Sequence, residues 1–256
     1  YLYQTTYGYL AATWERAADL NNMICDNGVN MLFFGGGTGS VPLLPYIEYE
    51  NIRKHPKLFV SYSDGTSILN AIYFQTGLET YYGQMPGLFE NISEADYFQF
   101  SSHFVENSAD CLQGNGKWKT ICGGTAEGIL VGGYLGNVAL EIGSQYFDLK
   151  REEKYLLFLE DHERFSSVAE VDMYLSHIEQ NEGMKNVSGL LFGCYSSREY
   201  SAESPLHQLF ELLERFGKRN GIPVAYCDEF GHGEKHAILP IGRRVVLDAD
   251  GQVLQF

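Results

Sequence analysis

Nowhere among the 256 residues does an apolar run reach the roughly 20 residues that a helix needs to cross a bilayer, so no membrane partner is expected. Positive charge is short: 18 Lys and Arg face 33 Asp and Glu, a formal net charge of −15. Nucleic acid and anionic membrane surfaces both require a basic face, so neither is an expected partner, although a local basic pocket is compatible with this balance. Cysteine is sparse. Cys25, Cys111, Cys122, Cys194 and Cys227 are odd in number and scattered, with no CxxC pair and no metal-ligand spacing to a histidine. They read as reduced, mostly buried thiols of a cytoplasmic protein, with no metal and no other cofactor expected. Residues 1–9 are polar and aromatic, unlike a secretory signal; the chain opens on Tyr1 rather than Met, which leaves room for a removed upstream segment, a signal peptide included. Internal repeats and low-complexity tracts are absent.

What is present is the composition of a globular protein, 45% hydrophobic, 14% aromatic and 20% charged, at a length suiting one large domain or two modest ones. Thr13 opens a helix with a hydroxyl cap, and Asn27-Gly28 ends it. Residues 29–34 form an apolar strand that stops in Gly35-Gly36-Gly37-Thr38-Gly39. A short helix over 49–55 halts at Pro56, residues 58–62 make the next strand, and a helix over 66–76 ends at Gly77. This alternation predicts a parallel sheet. Residues 86–118 lose the rhythm and are predicted to be an irregular link between two domains. Beyond a glycine-rich apolar stretch at 128–138, strands are predicted at 155–159, 187–192, 223–227, 243–247 and 252–255, with helices over 171–178 and 207–219. Glu152-Glu153-Lys154 reads as a solvated turn. The fold expected is α/β: an N-terminal parallel-sheet domain, flavodoxin-like and partly truncated (residues 1–95), a linker (96–118) and a β-rich C-terminal α/β domain (119–256).

The chemistry begins at Phe59-Val60-Ser61-Tyr62-Ser63-Asp64-Gly65-Thr66. A buried strand runs into a helix through a turn bearing a serine with a glycine two residues on, the layout of a nucleophile elbow in which Ser61 replaces the usual first glycine. The turn sets Ser63 beside free N–H groups at a helix start, which can stabilise an oxyanion. Taken alone, Ser63 or Asp64 is more readily a helix cap, because Ser-Asp before a helix is common. A serine nucleophile needs a base oriented by a carboxylate. His232, between Gly231 and Gly233, is one candidate base and His236 on the same loop is another. Glu160 ends the strand Leu156-Leu157-Phe158-Leu159, where an acid is costly unless paired, but Asp161, His162 and Glu163 crowd the same turn. The glycine run at 35–39 lacks the Lys-Ser/Thr of a P-loop and the Rossmann spacing. It suits a close approach of backbone N–H groups to a substrate or an oxyanion.

Together these pieces resemble the serine LD-carboxypeptidase family, which includes muramoyltetrapeptide carboxypeptidases and microcin C immunity-type hydrolases. The resemblance rests on Gly8-Tyr9-Leu10-Ala11, Arg16-Ala17-Ala18-Asp19-Leu20, Leu43-Leu44-Pro45-Tyr46-Ile47, Tyr62-Ser63-Asp64, and the stretch from Thr76-Gly77 to Tyr82-Gly83. It continues through Glu127-Gly128, Gly132-Gly133, Phe158-Leu159-Glu160-Asp161, Gly231-His232-Gly233 and Leu239-Pro240-Ile241-Gly242. By resemblance Ser63, Glu160 and His232 are the catalytic triad, Glu160 and His232 being chosen over Asp161 and His236, with the serine in one domain and its partners in the other. The backbone N–H groups of Asp64 and of Gly36 or Gly37 are the expected oxyanion hole. The implied activity is cleavage of an L-to-D amide bond near the C-terminus of a cytoplasmic murein tetrapeptide. A peptide-nucleotide of the microcin type is the rival substrate, a non-catalytic binding module the rival from another class, and a homodimer the expected assembly. Three departures put the substrate in doubt: Gly35-Gly36-Gly37 stands where the family has Arg-Gly-Gly, and Tyr134 and His236 stand where Asn is common. The family's opening βαβ portion is also expected to be missing.

Overall fold

The computed structural model describes residue 8 and residues 11–113, 117–149, 153–196, 201 and 204–256. Tyr9, Leu10, Glu152, part of the linker and most of the polar opening therefore lie outside the described residues. The chain starts with α1 (Thr13–Cys25), β1 (Met31–Phe33), α2 (Tyr49–Lys54), β2 (Leu58–Ser61), α3 (Thr66–Thr76) and β3 (Thr80–Tyr82). It continues through α4 (Glu94–Phe104), β4 (Cys111–Gln113), β5 (Trp118–Cys122), β6 (Thr125–Tyr134), α5 (Leu135–Glu141), β7 (Tyr155–Glu160) and α6 (Val168–Glu179). Last come β8 (Val187–Cys194), α7 (Pro205–Asn220), β9 (Val224–Gly231), β10 (Leu239–Ile241), β11 (Arg244–Asp248) and β12 (Val253–Gln255).

These strands form two sheets, of order β1-β2-β3-β10 and β4-β12-β11-β6-β7-β8-β9-β5. The expected parallel core holds in the first sheet, and the second sheet has one too. β1, β2 and β3 are parallel, as are β6, β7, β8 and β9, whereas the outer strands pair antiparallel. Every residue of β7 is buried, the pattern of a parallel strand covered on both faces. α3 is buried over nine consecutive positions and lies between the sheets, so its apolar character runs all round rather than along one stripe. Among the described residues no helix is long and apolar enough to cross a membrane.

Three expectations are corrected. The first turn of α1 has no hydroxyl cap: Ala12 is the N-cap, and its N–H donates to the Glu15 carboxylate at 2.9 Å. Residues 86–118 are not an irregular link, because they hold an eleven-residue helix, α4, capped by the Ser93 hydroxyl on the Asp96 N–H at 3.0 Å, and β4. Phe100 and Phe104 of α4 cover the face of the first sheet presented by Phe33 and Tyr81, with ring centroids 6.5 and 4.9 Å apart. The first sheet is also not built from the first half alone. β10 returns from the second half and pairs antiparallel with β3, Leu239 opposite Tyr82.

Candidate active site

Ser63 follows β2 in a tight turn and holds a left-handed φ of 57°, a strained conformation for a non-glycine residue. Such strain persists only where the surroundings impose it. Here the Asp64 carboxylate accepts the Ser40 N–H at 2.9 Å and the Asn137 side-chain amide at 3.0 Å, and the Ser40 hydroxyl reaches the Asp64 carbonyl at 2.6 Å. Thr66 adds a second clamp, donating to the Ser63 carbonyl at 2.7 Å and accepting the Tyr134 N–H at 2.8 Å. Ser61, in the place of the usual elbow glycine, donates to the Phe34 carbonyl at 2.9 Å and ties the ends of β2 and β1 together.

The elbow faces the second sheet because α3 docks on β6. Asn70 donates to the Gly132 carbonyl at 2.7 Å and accepts its N–H at 3.2 Å. Gly133 permits this approach: it has a φ of 136°, and a β-carbon there would lie 2.4 Å from the Thr66 hydroxyl. At the C-terminal end of the neighbouring strand β7, Glu160 is fully buried. β9 then delivers His232 through Gly231.

The Ser63 Oγ lies 3.0 Å from His232 Nε2, and His232 Nδ1 lies 2.8 Å from Glu160 Oε2, which also accepts the His232 backbone N–H at 3.2 Å. With the Nδ1 proton directed at Glu160, Nε2 is free to accept the serine proton. Asp161 and His236, the competitors, are engaged elsewhere. Asp161 accepts the His162 N–H at 2.7 Å, and burial pushes its carboxyl up to about 6. His236 takes Asp96 as its partner, through Nδ1 at 3.3 Å and its backbone N–H at 3.0 Å.

Ser63 and His232 open on a cleft of about 460 Å³, lined among others by Gly37, Thr38, Asp64, Tyr134 and Phe165. The glycine loop lies at the same end of the sheet as Ser63, as its position after β1 predicts. At Gly36 the backbone comes so close that an added β-carbon would sit 2.8 Å from the Ser63 Cβ. Arg16 holds this loop by donating to the Gly39 carbonyl at 3.1 Å. The His232 ring is surrounded by Tyr62, Phe165 and Tyr134, with centroids at 4.6, 4.9 and 5.2 Å. Such a collar limits water around the imidazole, while one edge of the ring reaches Ser63. Arg164 borders the cleft, donating to the His232 carbonyl at 3.1 Å with its guanidinium 5.8 Å from the Phe165 ring centroid.

Sequence reasoning missed Tyr82. Its buried hydroxyl donates to Glu160 Oε1 at 2.5 Å and accepts the Ser63 N–H at 3.1 Å. Burial, followed by the neighbouring Glu160 charge, holds the phenol well above its ordinary value, so it remains a donor. Asn70, Thr66, Ser40 and Asn137 were missed too, since nothing in their local sequence distinguishes them from other polar core residues.

Comparison with known proteins gives two matched ranges. Residues 2–83 match the LD-carboxypeptidase N-terminal domain, and residues 127–247 match the LD-carboxypeptidase C-terminal domain. A probable murein peptide carboxypeptidase of Bacillus subtilis (strain 168) is 28% identical, over 94% of this chain and 76% of its own length. The microcin C7 self-immunity protein MccF of Escherichia coli is 25% identical, over 93% of this chain and 76% of its own. Among solved structures, an MccF-like protein of Bacillus anthracis str. Ames superposes with a TM-score of 0.84 at 25% identity, covering 98% of this chain and 83% of that one.

Proposed function

Since the chain belongs to the LD-carboxypeptidase family and is a serine peptidase, we propose that Ser63, His232 and Glu160 are its catalytic triad. The observation that carries the reading is the unbroken relay from Ser63 Oγ through His232 to Glu160, at 3.0 and 2.8 Å. Ser63 attacks the scissile carbonyl carbon while its proton passes to His232 Nε2, and Glu160 stabilises the resulting imidazolium. The tetrahedral oxyanion is held by the Asp64 N–H and one N–H from Gly36 or Gly37. Collapse breaks the C–N bond, His232 returns the proton to the departing amine, and water then hydrolyses the acyl ester by the same relay.

The proposed substrate is a murein tetrapeptide, cut at the L-to-D amide bond near its C-terminus. Similarity to the Bacillus subtilis protein supports it. A second reading, hydrolysis of an aminoacyl or peptidyl adenylate analogue, is favoured by the cleft itself. Tyr134 and Phe165, the latter 53% exposed, offer rings to a nucleobase. Mass spectrometry of the products from a murein tetrapeptide and from an aminoacyl sulfamoyl adenosine, supplied separately, decides between them. Release of D-Ala supports the first, a free amino acid with the sulfamoyl nucleoside the second, and turnover of neither removes both. The same reading keeps residues 1–95 and 119–256 as the two functional halves joined through 96–118. It also places the enzyme in the cytoplasm, in keeping with five free thiols, as a homodimer whose mass light scattering would report.

A further inference from the structure

We infer that Tyr82 is a positioning residue of the triad, a single buried hydroxyl that holds the nucleophile's backbone and the orienting carboxylate at a fixed separation across the two sheets. The inference rests on the triad proposed above and assigns it a fourth member. Four groups close into one ring of hydrogen bonds. The Ser63 N–H donates to the Tyr82 hydroxyl (3.1 Å), which donates to Glu160 Oε1 (2.5 Å); Glu160 Oε2 accepts from His232 (2.8 Å), whose other nitrogen reaches Ser63 Oγ (3.0 Å). The serine comes from the first sheet and the acid from the second, and Tyr82, like His232, has a side chain that touches both.

Each bond of the ring has its own consequence. Accepting the Ser63 N–H helps to fix the turn in its left-handed conformation. Donating to Oε1 occupies the carboxylate oxygen that His232 does not use, so Glu160 cannot rotate away from the imidazole. Tyr82 is itself immobile: it is fully buried, its strand pairs with β10 at Leu239, and its ring packs on Phe158 of β7 with centroids 5.5 Å apart. The phenol also takes up part of the Glu160 charge. Without it the carboxylate becomes more basic, holds the imidazolium more strongly, and makes His232 titrate at higher pH.

The test is Tyr82→Phe, which keeps the ring and removes only the hydroxyl. In ¹⁵N-histidine-labelled protein, NMR titration should show the His232 imidazole moving up by about one pH unit. Asp161, His162, Arg164, Tyr62, Tyr134 and Cys194 also face the Glu160–His232 pair, and none of them is altered. On whichever of the two probe substrates the wild type cleaves, kcat should fall about tenfold to a hundredfold with KM little changed. A folded variant whose His232 titration stays at the wild-type pH overturns the inference, whether or not its activity falls, because a merely structural hydroxyl would leave that titration alone. If the wild type cleaves neither probe, the proposed substrates fail while the NMR titration still decides on Tyr82. If Tyr82→Phe does not fold, difluorotyrosine introduced at the same position keeps the size and strengthens the donor. His232 must then titrate lower than in the wild type, and an unmoved value overturns the inference.

Discussion

Replacing Ser63 by Ala removes one oxygen at the mouth of the cleft and no packing, so melting temperature and ligand binding should be retained. Turnover should drop by about 10⁴-fold or more, read as single-turnover product by mass spectrometry. Activity that survives, or that a chelator abolishes, would assign the chemistry to another group. Asp64→Ala is a subtler test. It removes the acceptor of the Ser40 and Asn137 hydrogen bonds and frees the strained turn, so kcat should fall about tenfold to a hundredfold while Ser63 is still present. At this scale the sequence was informative where a residue's type and place both had a chemical meaning: a serine in a strand-to-helix turn, an acid at the end of an apolar strand, a histidine between glycines. It could not separate Glu160 from Asp161, which differ by one position, without the resemblance. Tyr82 stands in a motif that carries the resemblance, but a tyrosine among tyrosines carries no sign that its hydroxyl meets a glutamate 78 positions away.

The elements that place the site were legible where they are long and periodic. α3 was read with its bounds as they stand, and β7 within a residue, because a buried run flanked by glycine or a polar turn has few alternatives. The short strands β3 and β10 were not, since three residues hold too little pattern. α4 failed for a different reason. Aromatic residues occupy both its faces, Phe100 and Phe104 inward and Tyr97 and Phe98 outward at 59% and 64% exposure, which erases the contrast that marks a helix. The close contact of α3 with β6 yields the third prediction. Gly133→Ala places a methyl group against Thr66 in a backbone conformation that alanine adopts at a penalty. Stability in urea should fall by about 2 kcal/mol or more, and activity should fall beyond the loss of folded protein because Thr66 also holds the Ser63 carbonyl.

For the molecule as a whole, pH acts on stability through buried carboxyls, Asp161 and, with the larger displacement, Glu141. Burial, reinforced by the nearby Asp64 charge, pushes Glu141 of α5 up to about 8 from 4.5. A group whose folded value is raised binds more protons folded than unfolded. Its stability contribution is therefore full below pH 4.5 and is lost as the pH climbs to about 8, at roughly 1.4 kcal/mol per pH unit. Urea unfolding at pH 5 and pH 8 should show the decline, and Glu141→Gln should flatten it; an equally steep slope in the variant would assign the effect elsewhere. The return of β10 to the first sheet has a consequence for how the protein is made. On the ribosome β2 and Ser63 emerge before β10, and the edge of β3 stays open until residues 239–241 are translated. Such distant pairing folds late. Ser63, Glu160 and His232 are thus brought together only once β10 has been made, and a chain stopped short of it leaves the three unassembled.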